Sequence, residues 1–139
     1  MRAVVAHPRR LAELVSMLDD KDRGVRGCAA ATLARLSETH AGRLVRILER
    51  LKEGLGDDSA YVRWCLAYAL GRMGAAIPAH SQRFLSELVE RLEDENKVVR
   101  IIACRALGRI ARRRPQQVKE AFTGGKRDIP APIERLVRG

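Results

Sequence analysis

Hydrophobic positions recur along this chain at a fixed period of 37 residues. The shift that aligns Leu11 with Leu48 and Leu85 also aligns the apolar columns on either side of them. Within each period the apolar residues are three or four positions apart, which is the spacing of one buried stripe on an α-helix. A polar break, rich in residues that cap helix N-termini, separates two such stripes. The pattern therefore predicts units of two helices, here named helix A and helix B.

Each unit also keeps an aspartate and a Val-Arg pair in register around its polar break. These are Asp20 with Val25-Arg26, Asp57 with Val62-Arg63, and Asp94 with Val99-Arg100. The pattern resembles the HEAT repeats of the armadillo-type α-solenoids. Their units join two antiparallel helices with an aspartate in the turn and a Val-Arg pair at the start of the second helix.

The resemblance covers about residues 9–122 and implies an all-α fold, a right-handed α-α superhelix or solenoid. We expect a single solenoid domain over residues 1–139. It would hold three HEAT-like helix pairs with a period of 37 residues, at about residues 9–40, 41–77 and 78–114. A divergent C-terminal unit at residues 115–139 would close it as a cap, with a helix, a glycine break and a last helix after Pro130 and Pro132.

The three arginines in register, Arg26, Arg63 and Arg100, allow two interpretations. Three guanidinium groups at one register could form an anion-binding row along the solenoid. The family resemblance favours a structural ladder, in which each arginine pairs with a turn aspartate of its own or the adjacent repeat. The aspartates of that ladder are Asp20, Asp57 and Asp94.

A further set of helix B positions lies opposite the buried stripe on a helical wheel. If helices B line the concave surface, as the resemblance implies, this set forms one strip with an apolar patch beside an arginine row. Exposed aromatic residues flanked by arginines are typical of binding hot spots. Alternatively, these side chains pack under the connectors or against the next repeat. The candidate partner-binding residues are Trp64, Tyr68, Ile101, Arg35, Arg72, Arg105, Arg109 and Arg112, with Glu38 at the rim.

Composition excludes several classes of protein. Hydrophobic residues make up 46% and charged residues 32% of the 139 residues, which excludes a disordered tail. No apolar run approaches the length of a membrane span, so we expect a soluble protein without membrane contact. The N-terminus lacks the apolar core of a signal peptide. Cys28, Cys65 and Cys104 show neither disulfide nor zinc-binding spacing, so we expect small buried thiols in a cytoplasmic protein.

The formal net charge is +10, and residues 112–139 alone carry +5. A solvated basic terminus and a contact with nucleic acid or another acidic surface both explain this excess. No catalytic motif, metal-ligand set or cofactor loop is present in the sequence, so we predict a non-enzymatic protein without metal or cofactor. The predicted function is a scaffold that binds a partner protein or peptide on the concave face of helices B. Nucleic-acid binding through the same strip, and a homo-oligomer or a fragment of a longer solenoid, stay open as alternatives.

Overall fold

A computed structural model describes residues 8–138, and every regular element in that range is helical. Three long helices form the B row, and each follows a shorter stretch in which α-helix and 3-10 helix alternate. The α-helices are α1 (Pro8–Ser16), α2 (Arg23–Thr39), α3 (Leu48–Glu53), α4 (Ala60–Ala76), α5 (Leu85–Glu90), α6 (Lys97–Ala111), α7 (Pro115–Gly124) and α8 (Ala131–Arg138). The 3-10 helices are Met17–Asp19, Ala41–Ile47, Gly54–Gly56, Pro78–Arg83 and Arg91–Glu93.

The A helices of the second and third repeats are not continuous α-helices. The backbone leaves the helical region at Ile47, with φ −109° and ψ 15°, and at Phe84, with φ −140° and ψ 7°. Each interruption separates a 3-10 stretch from the short helix α3 or α5 that follows it. The closing helix α8 begins before Pro132, earlier than predicted, because a proline in the first helical turn has no hydrogen bond to lose there.

Each B helix begins at a side-chain cap in the polar break. Asp22 accepts hydrogen bonds from the N–H groups of Gly24 (2.6 Å) and Val25 (3.2 Å). Ser59 and Asn96 occupy the same position before α4 and α6, and both accept from N–H groups of the first turn. Such caps satisfy donors that the helix itself leaves unpaired. The start of each B helix is therefore determined locally by its own turn.

The B helices pack side by side, α2 against α4 and α4 against α6. Alanines and glycines line these contacts, so the backbones approach closely. A Cβ atom added to Gly71 of α4 would lie 2.5 Å from the Cβ and 2.7 Å from the Cα of Ala106 in α6. The leucine stripes of the A and B helices close the core beneath the row, including Leu33, Leu48, Leu66, Leu70, Leu88 and Leu107. None of the helices over residues 8–138 is long and apolar enough to cross a membrane.

An arginine of each B helix reaches the turn aspartate of the next repeat. Arg63 donates from Nε to Asp94 Oδ2 at 2.9 Å and from Nη2 to Asp94 Oδ1 at 3.0 Å. Arg26 makes the equivalent contact with Asp57, at 3.1 Å from Nε to Oδ2. Arg100 donates to the main-chain carbonyls of Asp94 and Glu95, and no carboxylate within residues 8–138 lies at ion-pair distance from it.

The Arg63–Asp94 pair is buried, with side-chain exposures of only 7% and 3%. Desolvation by burial tends to raise the pKa of Asp94. The hydrogen bonds from Arg63 and from the N–H of Asn96, with the charges of Arg63 and Arg91, outweigh it, so the pKa of Asp94 lies below its usual value. The carboxylate therefore stays ionised and holds the two repeats together.

The prediction that all three cysteines are buried is wrong for Cys28, which is exposed, whereas Cys65 is buried and Cys104 is half-buried. Ile102 of α6 occupies the position that corresponds to Cys28 in α2, and it faces Tyr68 of α4 across a shared cleft. A residue at this position therefore faces the preceding B helix. Within residues 8–138 no B helix precedes α2, so Cys28 is left uncovered.

We expect Gly71→Ala to destabilise the fold by about 1–3 kcal/mol, because the added methyl group overlaps the backbone of α6. Gly56→Ala is the matched control, since nothing lies within 4 Å of its added Cβ. That control should change stability by no more than about 0.5 kcal/mol. Urea unfolding followed by circular dichroism measures both, and equal stabilities would contradict the close approach of α4 and α6.

Removing the Arg63 guanidinium should cost more stability than removing that of Arg100. Arg63→Ala removes the bidentate partner of the buried Asp94 carboxylate and leaves it only Arg91 and the N–H of Asn96, a loss of about 3 kcal/mol. Arg100→Ala removes an exposed side chain that bonds only to main-chain carbonyls, so we expect about 1 kcal/mol or less. Chemical denaturation of both variants checks this order, and a loss for Arg100→Ala as large as that for Arg63→Ala would refute it.

Candidate functional site

The outer surface of the B row is almost free of acidic residues. Glu38 is the only aspartate or glutamate within α2, α4 and α6, whereas these helices carry most of the predicted partner-binding arginines. On the side of the A helices, by contrast, several cations pair with carboxylates of a neighbouring repeat. Examples there are Arg50 with Asp19, Arg83 with Glu49 at 3.0 Å, and Lys52 with Glu87 at 3.8 Å.

The arginines of the predicted strip differ in exposure but share one property. Arg35, Arg105 and Arg112 are exposed, and Arg72 and Arg109 are half-buried. Within residues 8–138 none of the five lies at ion-pair distance from a carboxylate, in contrast to Arg26 and Arg63 on the same row of helices. We call Arg35, Arg72 and Arg109, which share one register on the three B helices, the arginine row. Its guanidinium groups can donate to an external anion.

Tyr68 connects the arginine row to the single glutamate of this surface. Its hydroxyl donates to Glu38 Oε1 at 3.1 Å and accepts from Arg72 Nε at 3.2 Å. The Arg72 guanidinium also lies over the Tyr68 ring, 5.4 Å from the ring centroid. Glu38 is thus bonded to a phenol rather than to an arginine, and Arg72 has no direct contact with a carboxylate among the described residues.

A small cleft of about 70 Å³ opens between α4 and α6 beside this network. Tyr68, Ile102, Arg105, Ala106 and Arg109 line it. The structure therefore brings Tyr68, Arg105 and Arg109 of the predicted strip to one place. Its two arginines and its apolar wall would suit a carboxylate carried on an aliphatic side chain.

An apolar patch occupies the first turns of α4 and α6. The large hydrophobic residues that are exposed within the described chain are Tyr61 (45%), Val98 (44%) and Ile101 (40%). Trp64 completes the patch, with its ring at 85° to that of Tyr61 and 4.9 Å between the centroids. We call these four residues the apolar patch. The patch and the arginine row share one face of the B helices, the patch near the helix N-termini and the row farther along.

Trp64 is less exposed than the helical wheel predicted, since the wheel placed it opposite the buried stripe. The ring is half-buried and packs against the core, because an indole is large enough to lean back onto neighbouring side chains. Sequence reasoning also missed Tyr61 and Val98. A signal for them existed, since each lies three residues before a predicted strip residue and hence beside it on the helix surface.

Comparisons with known proteins agree with this architecture. A family model described as Cnd1, non-SMC mitotic condensation complex subunit 1, matches residues 42–124. A designed armadillo repeat protein solved in complex with the peptide (KR)4 is similar over 98% of this chain, with 21% identity and a TM-score of 0.68. A second designed armadillo repeat protein has 23% identity over 78% of this chain and a TM-score of 0.61. No curated protein matches the chain.

This chain covers 64% of the first designed protein and 51% of the second, so it spans between half and two-thirds of their lengths. At these identities the likeness shows the fold, and it confirms the predicted all-α solenoid of HEAT/armadillo type. The family model reaches from the second repeat to the end of α7 and matches more than half of the chain. The chain therefore belongs to the Cnd1 family of helical repeat proteins.

Proposed function

We propose that the chain is a non-enzymatic scaffold that binds a partner protein or peptide on the solvent-facing side of α2, α4 and α6, and that this side is the concave one of the solenoid. The partner contributes carboxylate or other acidic groups to the arginine row and apolar side chains to the apolar patch. Apolar burial supplies affinity, and charge complementarity steers the encounter.

One observation carries this proposal: the apolar patch and five arginines without carboxylate partners share one face. The A side, in contrast, pairs Arg83 with Glu49 and Arg50 with Asp19. Interfaces are enriched in aromatic residues and arginine relative to the rest of a protein surface. An exposed apolar patch bordered by polar groups is a further mark of a binding surface.

The charge of the surface indicates the chemistry of the partner. A similar designed armadillo repeat protein was solved with the basic peptide (KR)4. The B face of the present chain is itself basic, so the same mode of binding would here select an acidic peptide. The Cnd1 description names a subunit of a complex, and a scaffold that holds another chain is consistent with such a role.

Nucleic-acid binding is the second candidate, because the same arginines could contact phosphates and Tyr61 and Trp64 could stack on bases. The net charge of +10 would favour either anionic partner. The two candidates differ in their dependence on salt and on the apolar patch. Phosphate contacts lose affinity linearly with the logarithm of salt concentration, whereas apolar anchoring depends on salt only weakly.

We expect selection from a displayed random-peptide library to enrich sequences that combine acidic and apolar residues. The double variant Arg72→Glu/Arg109→Glu should bind the selected peptides at least about tenfold more weakly, because two charge-assisted contacts become repulsive. Fluorescence of Trp64, the single tryptophan of the chain, measures the affinities with tryptophan-free peptides.

Arg46→Glu is the matched control, since Arg46 is an exposed arginine on the A side. It should leave peptide affinity unchanged, and thermal unfolding should show that all variants are folded. Failure to enrich any peptide over the double variant would reject the peptide-binding proposal. If oligonucleotides quench Trp64 fluorescence saturably, with an affinity that falls steeply with added salt, the result would instead support nucleic-acid binding.

A further inference from the structure

We infer that the partner segment is an acidic amphipathic α-helix that lies across α4 and α6. Its apolar stripe would contact the apolar patch, and the carboxylates along one flank would contact the arginine row. This inference rests on the proposed function and adds the conformation and orientation of the bound segment.

The apolar patch has the width that two anchor residues of a helix require. Tyr61 and Trp64 lie on α4, and Val98 and Ile101 lie at the same distances from the cap on α6. Packed helices are about 8–10 Å apart. Residues i and i+7 of a crossing helix are about 10 Å apart and point to the same side. One anchor can therefore contact the α4 half of the patch while the other contacts the α6 half.

The distance from the patch to the arginine row matches the width of one helix. Trp64 and Arg72 are eight residues apart on α4, and Ile101 and Arg109 are eight apart on α6. Eight residues rise about 12 Å, and a helix with its side chains is about 10–12 Å wide. A helix whose axis lies between the patch and the row would thus span this distance, with its apolar stripe on the patch and one flank on the row. An extended strand on the patch would leave most of that distance empty.

Helices α2 and α8 flank the apolar patch, one on each side of the α4–α6 pair, and neither extends the patch with an exposed large apolar side chain. Gly27 of α2 occupies the register of Trp64, and the Tyr61 ring lies against it, where an added Cβ would be 3.0 Å from Tyr61 Cδ2. On the other side α8 packs against α6 and carries the exposed Arg135 in its last turn. The apolar contact is therefore two helices wide, which fits two turns of a bound helix. The arginine row extends farther, to Arg35 of α2.

The test uses three tryptophan-free peptides of about 18 residues, long enough to form a helix. The first has leucines on one stripe and glutamates on one flank. The second has the same composition with both residue types distributed around the helix, and the third carries a central proline. Titration of the full chain follows Trp64 emission, and difference circular dichroism reports helix formation on binding.

We expect the patterned peptide to bind saturably, to gain helicity, and to bind at least about tenfold more tightly than the other two. Ile101→Ser and Arg109→Glu should each reduce its affinity at least about fivefold, whereas Arg46→Glu should not. Equal binding of the three peptides would overturn the helical inference and leave the proposed acidic-peptide scaffold standing. Absence of saturable binding by the patterned peptide would also overturn it, and the library selection separately decides whether the scaffold proposal survives.

Discussion

The contact between the Arg63 guanidinium and the Asp94 carboxylate determines how the second helix pair is placed against the third. Both groups are buried, and an uncompensated charge at that depth is costly, so their relative position is held within hydrogen-bonding distance. Asp94 Oδ1 also accepts the N–H of Asn96 at 2.9 Å, which connects the same carboxylate to the cap of α6. The register of α6 against α4 is therefore fixed, with Gly71 of α4 against Ala106 of α6, and the surface strip depends on that register.

The B helices carry arginines that pair with a carboxylate and arginines that do not. The neighbouring repeat determines whether a carboxylate is within reach. Arg63 and Arg72 lie nine residues apart on α4. Arg63 points toward the turn of the next repeat and bonds to Asp94 there. Arg72 points toward the solvent-facing side and bonds to Tyr68. The acidic residues of the protein lie mainly in the turns and on the A side. The positive potential of the B face thus arises from where the carboxylates are placed, more than from the total charge.

The 37-residue pattern predicts the fold in considerable detail. The Val-Arg columns place the B helices to within a few residues, since α2, α4 and α6 each begin two residues before the valine. The interruptions of the A helices at Ile47 and Phe84 could not be predicted from the pattern, because an apolar period does not distinguish α-helix from 3-10 helix. Nor could the sequence decide which aspartate carboxylate pairs with Arg63. In the structure Arg63 pairs with the Asp94 carboxylate of the next repeat and also donates to the main-chain carbonyl of Asp57 in its own repeat.

The candidate site was predicted less completely than the fold, for a related reason. A helical wheel gives the direction of a side chain and says nothing of its depth, so it placed Trp64 in solvent although the ring leans onto the core. The lack of a carboxylate partner at Arg72 was equally inaccessible to sequence reasoning. It depends on Glu38, whose carboxylate accepts a hydrogen bond from Tyr68. The arginines of the row carry charges of like sign, so the proposed acidic partner would lower their mutual repulsion when it binds. A partner that binds only the folded chain would also stabilise the fold by mass action.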